Sequence, residues 1–139
     1  MSFLIDTSVV SEARRPNGNV HVRAWIASAP AHTLYLSVLV LGEVVRGIEL
    51  LRRRDLTQAA VYETWLTTLR RDYADRIIPV TADIAEEWGR MNVPDPVPTA
   101  DGLMAATAKT RGLTLVTRNT ADYVRTGVRL LNPFEPGRP

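Results

Sequence analysis

Three apolar residues, Phe3-Leu4-Ile5, run directly into Asp6-Thr7-Ser8 at the start of the chain. A short run with no polar alternation is the pattern of a strand buried on both faces, as in the middle of a parallel sheet. An acid and two hydroxyls straight after it form a helix-start signal, with Thr7 or Ser8 as the capping residue. Together they describe a central strand that ends on Asp6 and turns at once into a helix. In open parallel sheets, ligands sit beyond the carboxyl ends of the strands. Asp6 is expected at that edge.

The rest of the chain repeats the alternation. A short helix from Val9 to about Arg14 is broken by Pro16-Asn17-Gly18-Asn19. A second, from about Val20 to Ala27, puts Val22, Trp25 and Ile26 on one side and ends before Pro30. Leu34-Tyr35-Leu36 reads as a strand, and Ser37 can cap a long helix from Val38 to Arg53, in which Gly42 and Gly47 look like close-packing points. Asp55 and Gln58 resemble a capping box for a helix reaching about Tyr73. Ile77-Ile78-Pro79-Val80 is a strand whose proline assigns it to a sheet edge. Thr81 opens a helix with Ile84, Trp88 and Met91 on one face. Thr99 follows the proline-rich loop from Val93 to Pro98 and caps a helix from Ala100 to Arg111, which Gly112 stops. Leu113 to Thr117 is a strand, and Val128 to Leu131 a last short one. Strands separated by helices predict a single α/β domain over residues 1–133 around a parallel sheet, with a loose tail from 134 to 139.

Composition narrows the chemistry. At 139 residues the chain can bury about two-thirds of its unfolded surface as one domain. It has no cysteine and only two histidines, His21 and His32, which argues against disulfides, thiolate metal sites and a zinc centre. No signal peptide and no bilayer-spanning apolar run is evident, so a cytoplasmic protein that makes no use of a membrane is the expectation. The net charge of +2 permits nucleic-acid binding without requiring it. The clusters Arg14-Arg15, Arg52-Arg53-Arg54 and Arg70-Arg71 are either solvated helix ends or contacts to phosphates.

Most of the fifteen acids belong on an ordinary surface, but four do not. Asp6 follows a buried strand and Glu43 lies inside an almost wholly apolar helix. Asp101 opens a helix and Asp122 follows the Leu113 to Thr117 strand in a polar loop. Each has a plain alternative: Asp6 as a helix cap, Glu43 in an ion pair with Arg46 or Arg23, Asp101 answering a helix dipole, Asp122 as a turn residue. Strand ends and helix starts of one sheet share an edge, however, and carboxylates gathered there would repel one another unless a cation sat among them. Oxygen ligands without Cys or His suit a hard divalent ion, Mg²⁺ or Mn²⁺. Neither a Ser-His-Asp arrangement nor a glycine-rich phosphate loop is present.

Four segments now line up in order: Asp6-Thr7-Ser8-Val9 after the first strand, Ser37 to Gly47 around Glu43, Thr99 to Ala108 around Asp101, and Thr117 to Tyr123 around Asn119 and Asp122. Over nearly the whole chain they resemble the PIN domain, and more narrowly the VapC toxins of bacterial toxin–antitoxin pairs, in the FitB-like group. The resemblance implies a parallel sheet of about five strands and a Mg²⁺- or Mn²⁺-dependent ribonuclease acting on single-stranded or looped RNA, commonly tRNA or rRNA. It implies that Asp6, Glu43 and Asp101 are the core catalytic and metal-binding acids. Many relatives carry a further acid at the position of Asn119; an asparagine stands here, so Asp122 is the candidate fourth ligand. Thr7 and Asn119 would support the ion's surroundings, and Arg14, Arg15, Arg46 and Arg118 are candidates for holding the RNA backbone. The resemblance further implies a homodimer, inhibition by a VapB-type antitoxin in a heterotetramer or larger complex, and operator DNA bound only through the antitoxin. Two other readings compete: a non-catalytic PIN module serving transcriptional autoregulation with its antitoxin, and a phosphoacceptor or phosphatase domain. The second would want an aspartate two residues after Asp6, where Ser8 stands.

Overall fold

The computed structural model describes residues 1–136. In chain order its elements are β1 (Phe3–Ile5), α1 (Thr7–Arg14), α2 (Val20–Ser28), a 3-10 turn (Ala31–Thr33), β2 (Leu34–Ser37), α3 (Val38–Arg52), α4 (Leu56–Asp72), β3 (Ile77–Ile78), α5 (Ala82–Met91), α6 (Thr99–Arg111), β4 (Thr114–Val116), a 3-10 helix (Thr120–Thr126) and β5 (Leu130–Leu131). The strands form one five-stranded sheet in the order β3-β2-β1-β4-β5, and every pairing is parallel. This is the α/β architecture the alternating pattern predicts.

β1 is the central strand, and its composition explains why. Leu4 and Ile5 are fully buried, as are Leu36 on β2 and Leu115 and Val116 on β4. Helices cover both faces of such a sheet, so a strand in its middle has no solvent side for polar residues. β3 is an edge strand and stops just before Pro79, whose missing N–H could not serve a further neighbour. Among the described residues no helix is long and apolar enough to cross a membrane.

Several local expectations need correction. α1 begins at Thr7, and its cap is Asp6 rather than Thr7 or Ser8: Asp6 keeps an extended backbone (φ −71°, ψ 155°), and its side chain accepts from the Thr7 N–H at 2.8 Å. Strand and helix abut with no spacer, so the last strand-like residue falls on the acid. At α6 the capping position is Pro98, and Thr99 is already helical, so its hydroxyl is not a cap. Thr81 stands at the cap position of α5, but its hydroxyl is turned to the Asp83 carboxylate rather than to a backbone N–H. Ser37 does cap α3, accepting from the Leu39 N–H at 3.1 Å, and Gly112 ends α6 with φ +66°.

Gly42 and Gly47 are not close-packing points, since a Cβ at either would meet nothing within 4 Å. The close approach is at Gly102, where a Cβ would lie 2.7 Å from Val97 Cγ2 and 2.8 Å from Trp88 Cδ1. Of the tail expected from residue 134 onward, Phe134 packs against the core with its N–H donating to Asn132 Oδ1 at 2.9 Å. Residues 137–139 lie outside the described residues.

Candidate active site

The sheet's carboxyl edge gathers the acids by geometry alone. Helices that connect parallel strands run back against the strand direction, so they start at that edge. α1 and α3 start where β1 and β2 end, and α6, which leads into β4, starts there too. Asp6 is the residue after β1, Glu43 lies in the second turn of α3, Asp101 in the first turn of α6, and Asp122 in the 3-10 helix after β4. All four line one pocket of about 240 Å³, together with Thr7, Ser8, Ser11, Asn119 and Tyr123.

Asp6 is the most firmly held of the four. It is 9% exposed, with Oδ1 accepting from the Thr7 N–H and Oδ2 from the hydroxyls of Thr117 (2.8 Å) and Ser8 (3.1 Å). The parallel register explains the Thr117 contact: Ile5 pairs with Val116, so the next residues on each strand come to lie side by side. Thr117 Oγ1 in turn accepts from the Asn119 N–H at 3.1 Å, which ties the polar loop after β4 to the same point. Asp101 accepts one hydrogen bond, from the Tyr123 hydroxyl at 3.2 Å.

The pocket is electrostatically uneasy. Glu43 keeps much of its surface in solvent, yet partial shielding of its carboxyl pushes its pKa up, and the charges of Asp6 and Asp101 push it further. The Thr7 hydroxyl and Arg46 act the other way. The Thr7 hydroxyl is close enough to ease Glu43, but no hydrogen bond of good geometry forms, and Thr7 Oγ1 is buried without a partner. Among the described residues none of the four acids forms an ion pair. The ion pair considered for Glu43 therefore gives way, whereas Asp6 combines a helix cap with a place in the pocket, and Asp101 and Asp122 combine first-turn positions with the same.

The donor set fits a hard divalent cation in chemistry. Every group is an oxygen, the carboxylates share uncompensated charge, and Thr7 offers an unpaired hydroxyl. In their present rotamers, however, no three acidic or histidine side chains among the described residues are set to hold one ion. Asp6, Glu43, Asp101 and Asp122 are the residues that would do so once the exposed side chains of Glu43 and Asp122 turned toward the other two.

None of the four candidate arginines lines the pocket. Arg46 lies near enough for its charge to be felt by Glu43. Arg14 is turned onto α4, its guanidinium 4.1 Å from the Tyr62 ring centroid and 5.3 Å from that of Trp65. Arg15 faces Glu12 at 4.0 Å, and Arg118 lies over Phe134 at 4.7 Å while its N–H meets Ser8 Oγ at 3.5 Å. Three pocket residues lie outside the candidates read from sequence, Ser8, Ser11 and Tyr123, and so does Thr117, which holds Asp6 from outside the pocket lining. Ser11 stands one helical turn after Thr7, a spacing visible in the chain, whereas Thr117 is found only once β4 is known to pair with β1.

A parallel five-stranded sheet with acids converging at the carboxyl ends of its inner strands defines a class. The model of the PIN domain family matches residues 3–127, and the chain belongs to that family. Within it, the chain is similar to the toxin FitB of Neisseria gonorrhoeae, at 30% identity over 95% of this chain and 98% of FitB. It is also similar to the VapC ribonuclease Y4jK of Sinorhizobium fredii, at 29% identity over 96% of this chain and 99% of that one. The solved structure of FitAB bound to an IR36 DNA fragment superposes with a TM-score of 0.88 at 29% identity, covering 98% of both chains.

Proposed function

We propose that this protein is the toxin of a type II toxin–antitoxin pair, an endoribonuclease that depends on Mg²⁺ or Mn²⁺. The observation that carries the reading is the meeting of Asp6, Glu43, Asp101 and Asp122 in one pocket with no cationic side chain among the described residues paired to them. The similarity to a toxin and to a VapC ribonuclease over almost the full chain supports it.

A hard divalent ion, when bound, would neutralise the negative charge that develops on a phosphodiester as water attacks it. The chain's own residues would hold and orient it. Asp6 is fixed by three donors and so presents an invariant carboxylate at the end of the central strand. Glu43 and Asp122, both on the exposed side, can adjust, and Asn119 offers an amide where an acid would add further repulsion. Arg46 is placed to offset part of the charge as a phosphate approaches. A site open at the sheet's edge suits a single-stranded or looped RNA, whose backbone can enter with its bases splayed away. tRNA and rRNA are the substrate classes to test first.

The natural inhibitor on this reading is a VapB-type antitoxin, bound to a toxin homodimer in a heterotetramer or larger assembly. The solved structure of FitAB bound to a DNA fragment supports a partner of this kind, and operator DNA would be reached through that partner. The cytoplasm is the compartment where such a pair would act.

The test is digestion of RNA by the purified protein, freed of antitoxin, with Mg²⁺ and with EDTA, alongside Asp6→Asn. Asparagine still offers an Oδ1 to cap α1, so the variant should remain folded, as read by circular dichroism, while cleavage falls by about 100-fold or more. Cleavage that survives EDTA, or an Asp6→Asn variant as fast as wild type, would overturn the reading.

A further inference from the structure

Tyr123 lies in the 3-10 helix after β4 and is 3% exposed. Its ring belongs to the hydrophobic core, while its hydroxyl reaches the acid pocket and donates to Asp101 Oδ1 at 3.2 Å. Phenylalanine would fill the same space, so packing does not call for the oxygen. Burying a hydroxyl costs free energy unless it gains a partner, and here the partner is a pocket carboxylate. A phenol hydroxyl beside a carboxylate acts toward it as a donor, and the geometry is of that kind.

The hydrogen bonds of the pocket are unevenly shared. Asp6 has three donors, and the loss of one would leave it anchored. Asp101 sits in the first turn of α6, and the Tyr123 hydroxyl is the single donor its side chain has among the described residues. Remove that donor and the Asp101 carboxylate is free to rotate.

We infer that Tyr123 is a positioning residue: its hydroxyl fixes the rotamer of Asp101 by occupying Oδ1 and leaves Oδ2 to face the ion. This rests on the metal-dependent reading proposed above. It adds to that reading a hydrogen-bonded support for one ligand, of the kind that tunes metal affinity in other proteins.

The test compares wild-type protein with Tyr123→Phe, following free Mn²⁺ by electron paramagnetic resonance during titration. The variant should bind Mn²⁺ about 10-fold more weakly, with a metal-free melting temperature close to wild type. RNA cleavage at low Mn²⁺ should drop and recover at saturating Mn²⁺, because the defect lies in metal occupancy rather than in the maximal rate. Equal Mn²⁺ affinities in the two proteins would overturn the inference and leave the metal site standing. A cleavage defect that saturating Mn²⁺ does not relieve would overturn it as well, by assigning the hydroxyl to substrate. Should wild-type protein fail to bind Mn²⁺ at all, the metal reading falls and this inference with it.

Discussion

The hydroxyl of Thr117 donates to Asp6 Oδ2 at 2.8 Å, joining residues 111 positions apart at the ends of two neighbouring strands. The bond is buried and its acceptor is a carboxylate, which puts it among the stronger hydrogen bonds of a protein. Thr117→Val keeps the shape, removes this donor and also removes the acceptor of the Asn119 N–H. The expected cost is about 2 kcal/mol of stability, read from urea unfolding at neutral pH. A loss below about 0.5 kcal/mol would mean that Ser8 and solvent fully replace the hydroxyl.

Glu43 gives the metal-free protein a pH signature. Its pKa is raised above the ordinary 4.5, so the folded state holds the proton over a range where the unfolded state has released it. Below 4.5 both states are protonated and Glu43 contributes nothing; as pH rises through the window up to its raised value, stability falls. Glu43→Gln removes that penalty. Without divalent ions and at low salt, the variant should melt higher than wild type at pH 7, and the gain should vanish in acid. A variant less stable than wild type at pH 7 would contradict the assignment of strain to the pocket acids.

Two glycines on helices should respond in opposite directions. Gly102→Ala drives a methyl into Val97 and the rigid ring of Trp88, beside Asp101. Overpacking of this kind costs about 1–3 kcal/mol, more than alanine's helix preference returns. Gly42→Ala meets nothing and should stabilise α3 by about 0.5–1 kcal/mol. Thermal melts of the two variants read both signs at once.

The chain's pattern carried much of this fold. β1 was legible as an unbroken apolar run, β4 as a stretch of leucine, valine and threonine, and the edge position of β3 as the consequence of Pro79. The convergence of Asp6, Asp101 and Asp122 followed from placing each at a strand end or helix start. What sequence could not supply was the identity of neighbours across the sheet and between helices. Thr117 became a partner of Asp6 only through the β1–β4 pairing. Gly42, Gly47 and Gly102 look alike in sequence, and only the passage of Trp88 beside one of them separates a tight contact from open space. The polar run after β4 showed no apolar period, so its 3-10 helix and the inward turn of the Tyr123 hydroxyl were not visible. Arg14 reads from sequence as a solvated helix end or a contact to RNA phosphates, because nothing local announces the rings of Tyr62 and Trp65 beside it.

The order in which the sheet is knitted has a consequence for a chain made from its N-terminus. β1 emerges first and lies at the centre, but one of its two neighbours, β4, is among the last elements to be synthesised. Until residues 114–117 leave the ribosome, the middle strand has a bare flank and Asp6 lacks the donor that Thr117 supplies. A half-translated polypeptide thus carries Asp6 and Glu43 before the pocket is walled, and a stop ahead of β4 leaves it without Asn119, Asp122 and Tyr123.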